Sequence, residues 1–205
     1  MNSPSDSILI ATRNPGKLVE VVSILKGLPF KLLSLADVKQ VNAVEESGET
    51  FADNAARKAQ GYARQTGHFS IAEDSGLEVD ALGGAPGVLS ARLGGEDAND
   101  SERVASLLSC LESVPEARRT GRFECVIAVA DSKGNLMHMA KGSCEGRIGF
   151  HPRGSHGFGY DPVFIPNGYN LTFAEMELRM KNQLSHRAIA LATMRQFLND
   201  LVNQS

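Results

Sequence analysis

The chain has 205 residues, 42% hydrophobic and 22% charged, which is material for one large domain, or two lobes sharing a core, and not for several domains. Lys+Arg 21 against Asp+Glu 24 leaves a formal charge of −3, so no electrostatic excess exists to hold a bulk polyanion, and nucleic-acid binding is disfavoured. No stretch approaches the roughly 18 uninterrupted apolar residues of a membrane span, and the opening MNSPSDS has neither the basic start nor the apolar run of a leader, so a soluble, cytoplasmic protein that binds no membrane is expected.

The apolar run Ile8-Leu9-Ile10-Ala11 predicts a buried strand, followed by a helix with Leu18, Val21, Val22 and Leu25 at helical spacing. Asn14 is suited to cap that helix and Pro15 to begin it. A second helix is predicted from near Thr50, with Phe51, Ala55 and Ala59 on one face and Asn54 and Lys58, one turn apart, on another. Phe69-Ser70-Ile71-Ala72 reads as a short strand, ending at the polar cluster Glu73-Asp74-Ser75-Gly76 and followed by a turn-rich GGAPG at 83–87. A third helix, capped by Asn99 or Asp100, turns Val104, Leu107, Leu108 and Leu111 inward. Runs at 123–130 and 136–140 around the turn at 131–135 predict an antiparallel hairpin, so a mixed sheet is expected. After the glycine-rich segment 154–159 come a strand at 163–165 and a last helix from about Ser185 with Ala188, Leu191, Leu198 and Leu201 inward. Cys110, Cys125 and Cys144 are odd in number and lack CxxC spacing, which predicts buried free thiols in place of a disulfide framework or a zinc site. No repeat or linker divides the chain, so residues 1–205 read as a single domain.

Four constellations carry chemistry. Thr12-Arg13-Asn14-Pro15-Gly16-Lys17 lies between a strand and a helix, where amide groups and the helix dipole favour an anion, although a plain capped helix has the same pattern and a P-loop's glycines are missing. Glu45-Glu46 and Glu73-Asp74 are acidic pairs; one acid from each suffices for magnesium, whose other ligands are water and phosphate, while adjacent glutamates are also ordinary surface. Gly157-Phe158-Gly159-Tyr160-Asp161-Pro162 sets two aromatics between glycines, either to stack on a base or to leave one ring in the core and one on the rim. Lys181 and Ser185-His186-Arg187 close the set: the histidine is structural or functional, and the arginine suits a carbonyl on a base edge. His68, His138, His151 and His156 have no metal-ligand spacing.

In this order the elements resemble the inosine triphosphate pyrophosphatase family, also called XTP/dITP diphosphatases, over nearly the whole chain. TxNxGK at 12–17, EESGETFxxNAxxKA at 45–59, EDSGLEVDALGGAPG at 73–87, Ser90-Ala91-Arg92, GFGYDP at 157–162, Lys181 and SHR at 185–187 carry the likeness. Arg13 stands where many members have glycine, Glu73 where many have aspartate, and Tyr160 where some have tryptophan. The resemblance implies an α/β fold with a mixed elongated sheet flanked by helices, two lobes with a nucleotide cleft between them, and a homodimer. It implies magnesium-dependent hydrolysis of deaminated purine nucleoside triphosphates to monophosphate and pyrophosphate. In that setting Thr12, Arg13, Asn14, Pro15, Gly16, Lys17, Lys58 and Ser75 are expected around the triphosphate, and Glu45 and Asp74 on Mg2+, with Asp74 also the base for the attacking water. Phe158, Gly159 and Tyr160 are expected against the purine, Asp161 and Lys181 completing the pocket, and His186 and Arg187 reading its six-position carbonyl. The rivals are a related pyrophosphatase of other base preference and a non-catalytic nucleotide- or RNA-binding protein.

Overall fold

The computed structural model describes residues 7–203. Apart from Ser7, the MNSPSDS opening lies outside them. Along the chain come β1 (Ser7–Ile10), α1 (Pro15–Leu25), β2 (Lys31–Ser34), α2 (Phe51–Thr66), β3 (Phe69–Val79), α3 (Asp100–Cys110), β4 (Thr120–Ala130), β5 (Leu136–Ile148), β6 (Phe164–Pro166), α4 (Leu178–Leu184) and α5 (His186–Asn203). The fold is mixed α/β, with one six-stranded sheet in the order β2-β1-β3-β4-β5-β6. β1 runs parallel to β2 on one side and to β3 on the other, and β5 is antiparallel to β6. The short 131–135 connection between the neighbours β4 and β5 leaves no length for a crossover, so they form a hairpin.

The chain divides into two compact units. Unit 1 takes the described residues within Met1–Asp74, Cys125–Gly142 and Arg187–Ser205, and unit 2 takes Ser75–Glu124 and Ser143–His186. Each has its own apolar core. In unit 1, Ile8 and Ile10 of β1, Phe69 and Ile71 of β3 and the alternate residues Cys125, Ile127 and Val129 of β4 pack with Val21 and Leu25 of α1 and Leu191, Met194 and Leu198 of α5. In unit 2, Leu77 and Val79 of β3, Val104 and Leu107 of α3 and Leu111 meet Phe123, Phe164 and Phe173, with the Phe123 and Phe164 rings edge to face at 4.7 Å.

Asn14 caps α1 with Pro15 in its first turn, Thr50 caps α2, and Asn99 caps α3 in a capping box with Glu102. Three readings change. β3 does not stop at Ala72 but continues through Glu73-Asp74-Ser75-Gly76 to Val79, because its acids are neutralised by cations from distant elements. β2 and α4 were not anticipated; both are too short to show a period. Of the free cysteines, Cys125 and Cys144 are buried but Cys110, at the end of α3, is exposed. Among the described residues no helix is long and apolar enough to cross a membrane.

Candidate active site

The strand order of unit 1 reverses at β1, whose carboxyl end is where α/β sheets gather ligands. The register pairs Ile10 with Ile71, so the loop opening at Thr12 runs beside Glu73 and Asp74. The Asn14 side-chain oxygen accepts from the Lys17 amide at 3.1 Å, which leaves the Asn14 amide group as a donor, and the Thr12 hydroxyl accepts from the Asn14 backbone at 3.2 Å. Lys17 Nζ lies 2.8 Å from Glu73 Oε1.

Glu73 and Asp74, 5% and 6% exposed, are successive strand residues and so face opposite sides. Glu73 takes the Arg187 guanidinium, Nε at 2.5 Å and Nη2 at 3.1 Å, and the same arginine also pairs with the buried Glu20 of α1. Burial pushes the Glu73 carboxyl up, yet Arg187 and Lys17 together outweigh it and hold the group well below the usual carboxylate range. Asp74 Oδ1 meets Lys58 Nζ at 3.0 Å and its Oδ2 meets Asn54 Nδ2 at 3.1 Å, both from the same face of α2. Lys58 Nζ also lies 3.0 Å from Glu46 Oε2. Burial raises Asp74 above its ordinary value despite Lys58 and Lys17; burial raises Glu46 too, but Lys58 brings it out below.

In unit 2 the 157–162 loop is organised by Asp161, 2% exposed, whose Oδ2 accepts from the Phe158 amide at 2.9 Å and from Lys181 Nζ at 2.6 Å. Gly157, at φ +75°, is required because a Cβ would come within 2.0 Å of that carboxylate. The Lys181 ammonium stands 4.9 Å from the centre of the half-buried Phe158 ring. The Gly159 amide donates to Asp100 at 2.7 Å. His186 stacks on Phe123, ring centres 4.7 Å apart.

The structure thus brings Lys17, Lys58 and Asp74 into one neighbourhood of unit 1, and Phe158, Asp161 and Lys181 into another of unit 2. Ser75 follows Asp74 in β3, half-buried. Four residues stand differently from expectation. Glu45 and Glu46 are both exposed, and Glu46 is the one that reaches Lys58. Tyr160 belongs to the core of unit 2; its hydroxyl donates to the Ser90 carbonyl at 2.7 Å, and burial pushes its pKa up to about 12. Of the two aromatics, only Phe158 keeps a face toward solvent. Arg187 has its guanidinium on Glu73 and Glu20 in place of an open base edge, and His186 is buried against Phe123. Arg13, exposed, donates to the Val41 carbonyl at 3.3 Å. Glu20 was missed: a lone acid in an apolar helix face is the signal, but its partner lies 167 residues away.

The carboxylates of Asp74 and Glu46, hard oxygen donors already gathered around one cation, fit magnesium, which takes one or two protein carboxylates and draws its other ligands from water and substrate phosphate. Among the described residues no group of three or more His, Cys, Asp or Glu forms a cage that would hold a metal unaided.

Residues 8–197 match the model of the Ham1 family. The chain is 48% identical over 194 residues to a dITP/XTP pyrophosphatase of Desulforamulus reducens, covering 95% of this chain and 96% of the relative. It is 50% identical over 191 residues to one of Geobacter sulfurreducens, covering 93% and 96%. Among solved structures it is similar to a HAM1 protein from Coxiella burnetii, with TM-score 0.86 and 38% identity over 95% of this chain and 98% of that one. A Ham1 protein of Staphylococcus aureus gives 0.83 and 34% over the same shares.

Proposed function

We propose, because this chain belongs to the Ham1 family, that it hydrolyses deaminated purine nucleoside triphosphates, dITP, ITP and XTP, to the nucleoside monophosphate and pyrophosphate. The observation that carries the reading is Asp74: a buried carboxylate with a raised pKa, held by Lys58 and Asn54 beside Lys17, in a chain whose relatives are named for dITP and XTP.

In this reading Lys17, Lys58, the Thr12 and Asn14 polar groups and the α1 amino end hold the triphosphate, with Arg13, Pro15, Gly16 and Ser75 shaping its surroundings. Asp74 orients a water and takes its proton as the water oxygen bonds to the α-phosphorus; the bond from that phosphorus to the α,β-bridging oxygen breaks, and pyrophosphate leaves. A carboxylate has about four lone-pair sites, so the contacts to Lys58 and Asn54 still leave it room to accept that proton. Its raised pKa brings it nearer the value at which a base is effective. Asp74 with Glu46, or with Glu45 as the sequence expectation had it, would hold Mg2+, which when bound neutralises phosphate charge and acidifies water. Phe158 offers a ring for the base, while Asp161, Lys181 and Gly159 fix the loop that carries it. A homodimer and a cytoplasmic setting are supported by the resemblance and the soluble substrate class alone.

Pyrophosphate release, followed by phosphorus NMR, is measured across ITP, dITP, XTP, GTP, ATP and dTTP with and without Mg2+. Faster turnover of the first three, with monophosphate and pyrophosphate as products, is expected, and Asp74→Asn is expected to reduce it by several orders of magnitude while the chain stays folded. Glu46→Gln raises the Mg2+ requirement more than Glu45→Gln. Orthophosphate as first product, or ATP turned over as well as ITP, overturns the assignment.

A further inference from the structure

Unit 2 contains a half-open cavity of about 260 Å³ that shares no residue with the site above; its lining includes Arg147, Phe150, His151, Arg153 and Asn170. Phe150 is 54% exposed, yet its ring is mounted with care: the Arg119 guanidinium lies 4.1 Å from its centre. Arg119 itself is 3% exposed and donates to three backbone carbonyls, Leu111 at 2.7 Å, Gly149 at 2.9 Å and Val114 at 3.0 Å. A buried cation fixed by three carbonyls is a rigid base, and it holds an aromatic that adds little to the core. Around this ring stand three basic side chains. Arg147 and His151 make no hydrogen bond or ion pair among the described residues, and Arg153 uses only Nη2, on the Asn170 carbonyl at 2.7 Å and Glu175 at 3.3 Å. Among the described residues, Glu116 is the acid of the lining, and Glu175 reaches Arg153 from outside it.

A preset aromatic ring beside arginines with open donors is complementary to a molecule that is planar at one end and anionic at the other. The volume suits a small ligand, and the chain's −3 charge disfavours a polynucleotide. We propose that this cavity is a second binding site, for a nucleoside monophosphate whose base stacks on Phe150 and whose phosphate meets Arg147, His151 and Arg153.

The test uses the full chain and three probes, adenosine 5′-monophosphate, adenosine and inorganic phosphate, with affinities from calorimetry. The monophosphate is expected to bind saturably and more tightly than either fragment. Phe150→Ala and Arg147→Ser each weaken it about tenfold or more, Phe150→Tyr restores it, and Phe158→Ala leaves it in place. Phe150→Ala and Arg147→Ser leave pyrophosphate release unchanged, since neither residue belongs to the catalytic neighbourhoods. No saturable binding, binding lost with Phe158→Ala but not with Phe150→Ala, or phosphate alone binding as tightly overturns the proposal. So does a change of oligomeric state in Phe150→Ala seen by sedimentation, which would make this face a contact between copies of the chain.

Discussion

Arg187 is bound by two buried acids, Glu73 and Glu20, and they decide what its removal does. It is 1% exposed and its guanidinium joins Glu73 of β3 to Glu20 of α1, so three elements meet on one planar fork. Truncation to alanine takes the joining cation from two buried carboxylates and leaves Lys17 and the Cys125 thiol on Glu73. An uncompensated buried charge costs about 3–5 kcal/mol, more than any single base contact contributes. Arg187→Ala is therefore expected to lower stability by an amount of that order in urea unfolding, and to reduce turnover of ITP, XTP and ATP by similar factors. A variant with wild-type stability and a loss confined to the keto bases would return Arg187 to the role of reading a carbonyl. Lys58 differs: burial lowers its pKa, Asp74 and Glu46 more than restore it, and the ammonium stays charged between two acids of which one is catalytic in the proposed reaction.

At the scale of elements, α2 is the frame on which the acidic neighbourhood is assembled. Asn54 and Lys58 project from one face to Asp74, and the loop before the helix is seated against it at two glycines. A Cβ on Gly48 would lie 2.7 Å from Asn54 Oδ1, and one on Gly61 would lie 2.7 Å from Val44 Cγ2. Val44 is stiff at χ1 and precedes Glu45 and Glu46, so it yields by moving the loop. Gly61→Ala gains about 1 kcal/mol of helix propensity and spends it on that collision. The expected result is a melting temperature close to wild type with a raised Mg2+ requirement for turnover; a full propensity gain with unaltered Mg2+ dependence would show that the loop does not hold Glu46 in place. The caps Asn14 and Thr50, and Asn99 as one of two candidates with Asp100, were legible in the sequence because a cap is a bond between residues two or three apart. The pairing of Asn54 with Lys58 was legible for the same reason. The course of β3 was not: Glu73 and Asp74 look like the end of a strand until Lys17, Lys58 and Arg187 arrive from elsewhere in the chain. That Glu46 is the acid in contact with Lys58, and that Tyr160 is the buried ring and Phe158 the half-buried one, likewise depends on contacts to α2 and to Ser90 that no local pattern encodes.

For the whole molecule, each unit has an apolar core of its own, and the charged middle of β3 makes folding depend on pH in two opposed ways. Glu73 has a folded pKa below its ordinary 4.5, so the unfolded chain binds the more protons. Its contribution to stability is complete above about 4.5 and is lost as pH falls through the lower folded value. Asp74 has a folded pKa above its ordinary 3.8, so the folded chain binds the more protons. Its ionisation costs stability at neutral pH, and that cost is relieved as pH falls through the raised value. The two neighbours therefore tilt the stability curve in opposite directions, one as a structural ion pair and the other as the group that the proposed reaction uses as its base, at some expense to the fold. Urea unfolding at stepped pH, with chelator present so that only the chain's own groups titrate, separates them. Glu73→Gln is expected to be less stable than wild type at pH 7 and to lose less on acidification. Asp74→Asn is expected to match or exceed wild-type stability at pH 7 and to fall more steeply below it, because the compensating proton uptake is gone. Parallel curves for wild type and both variants would mean that neither acid is perturbed by its surroundings, and with that the case for Asp74 as a tuned base would fail.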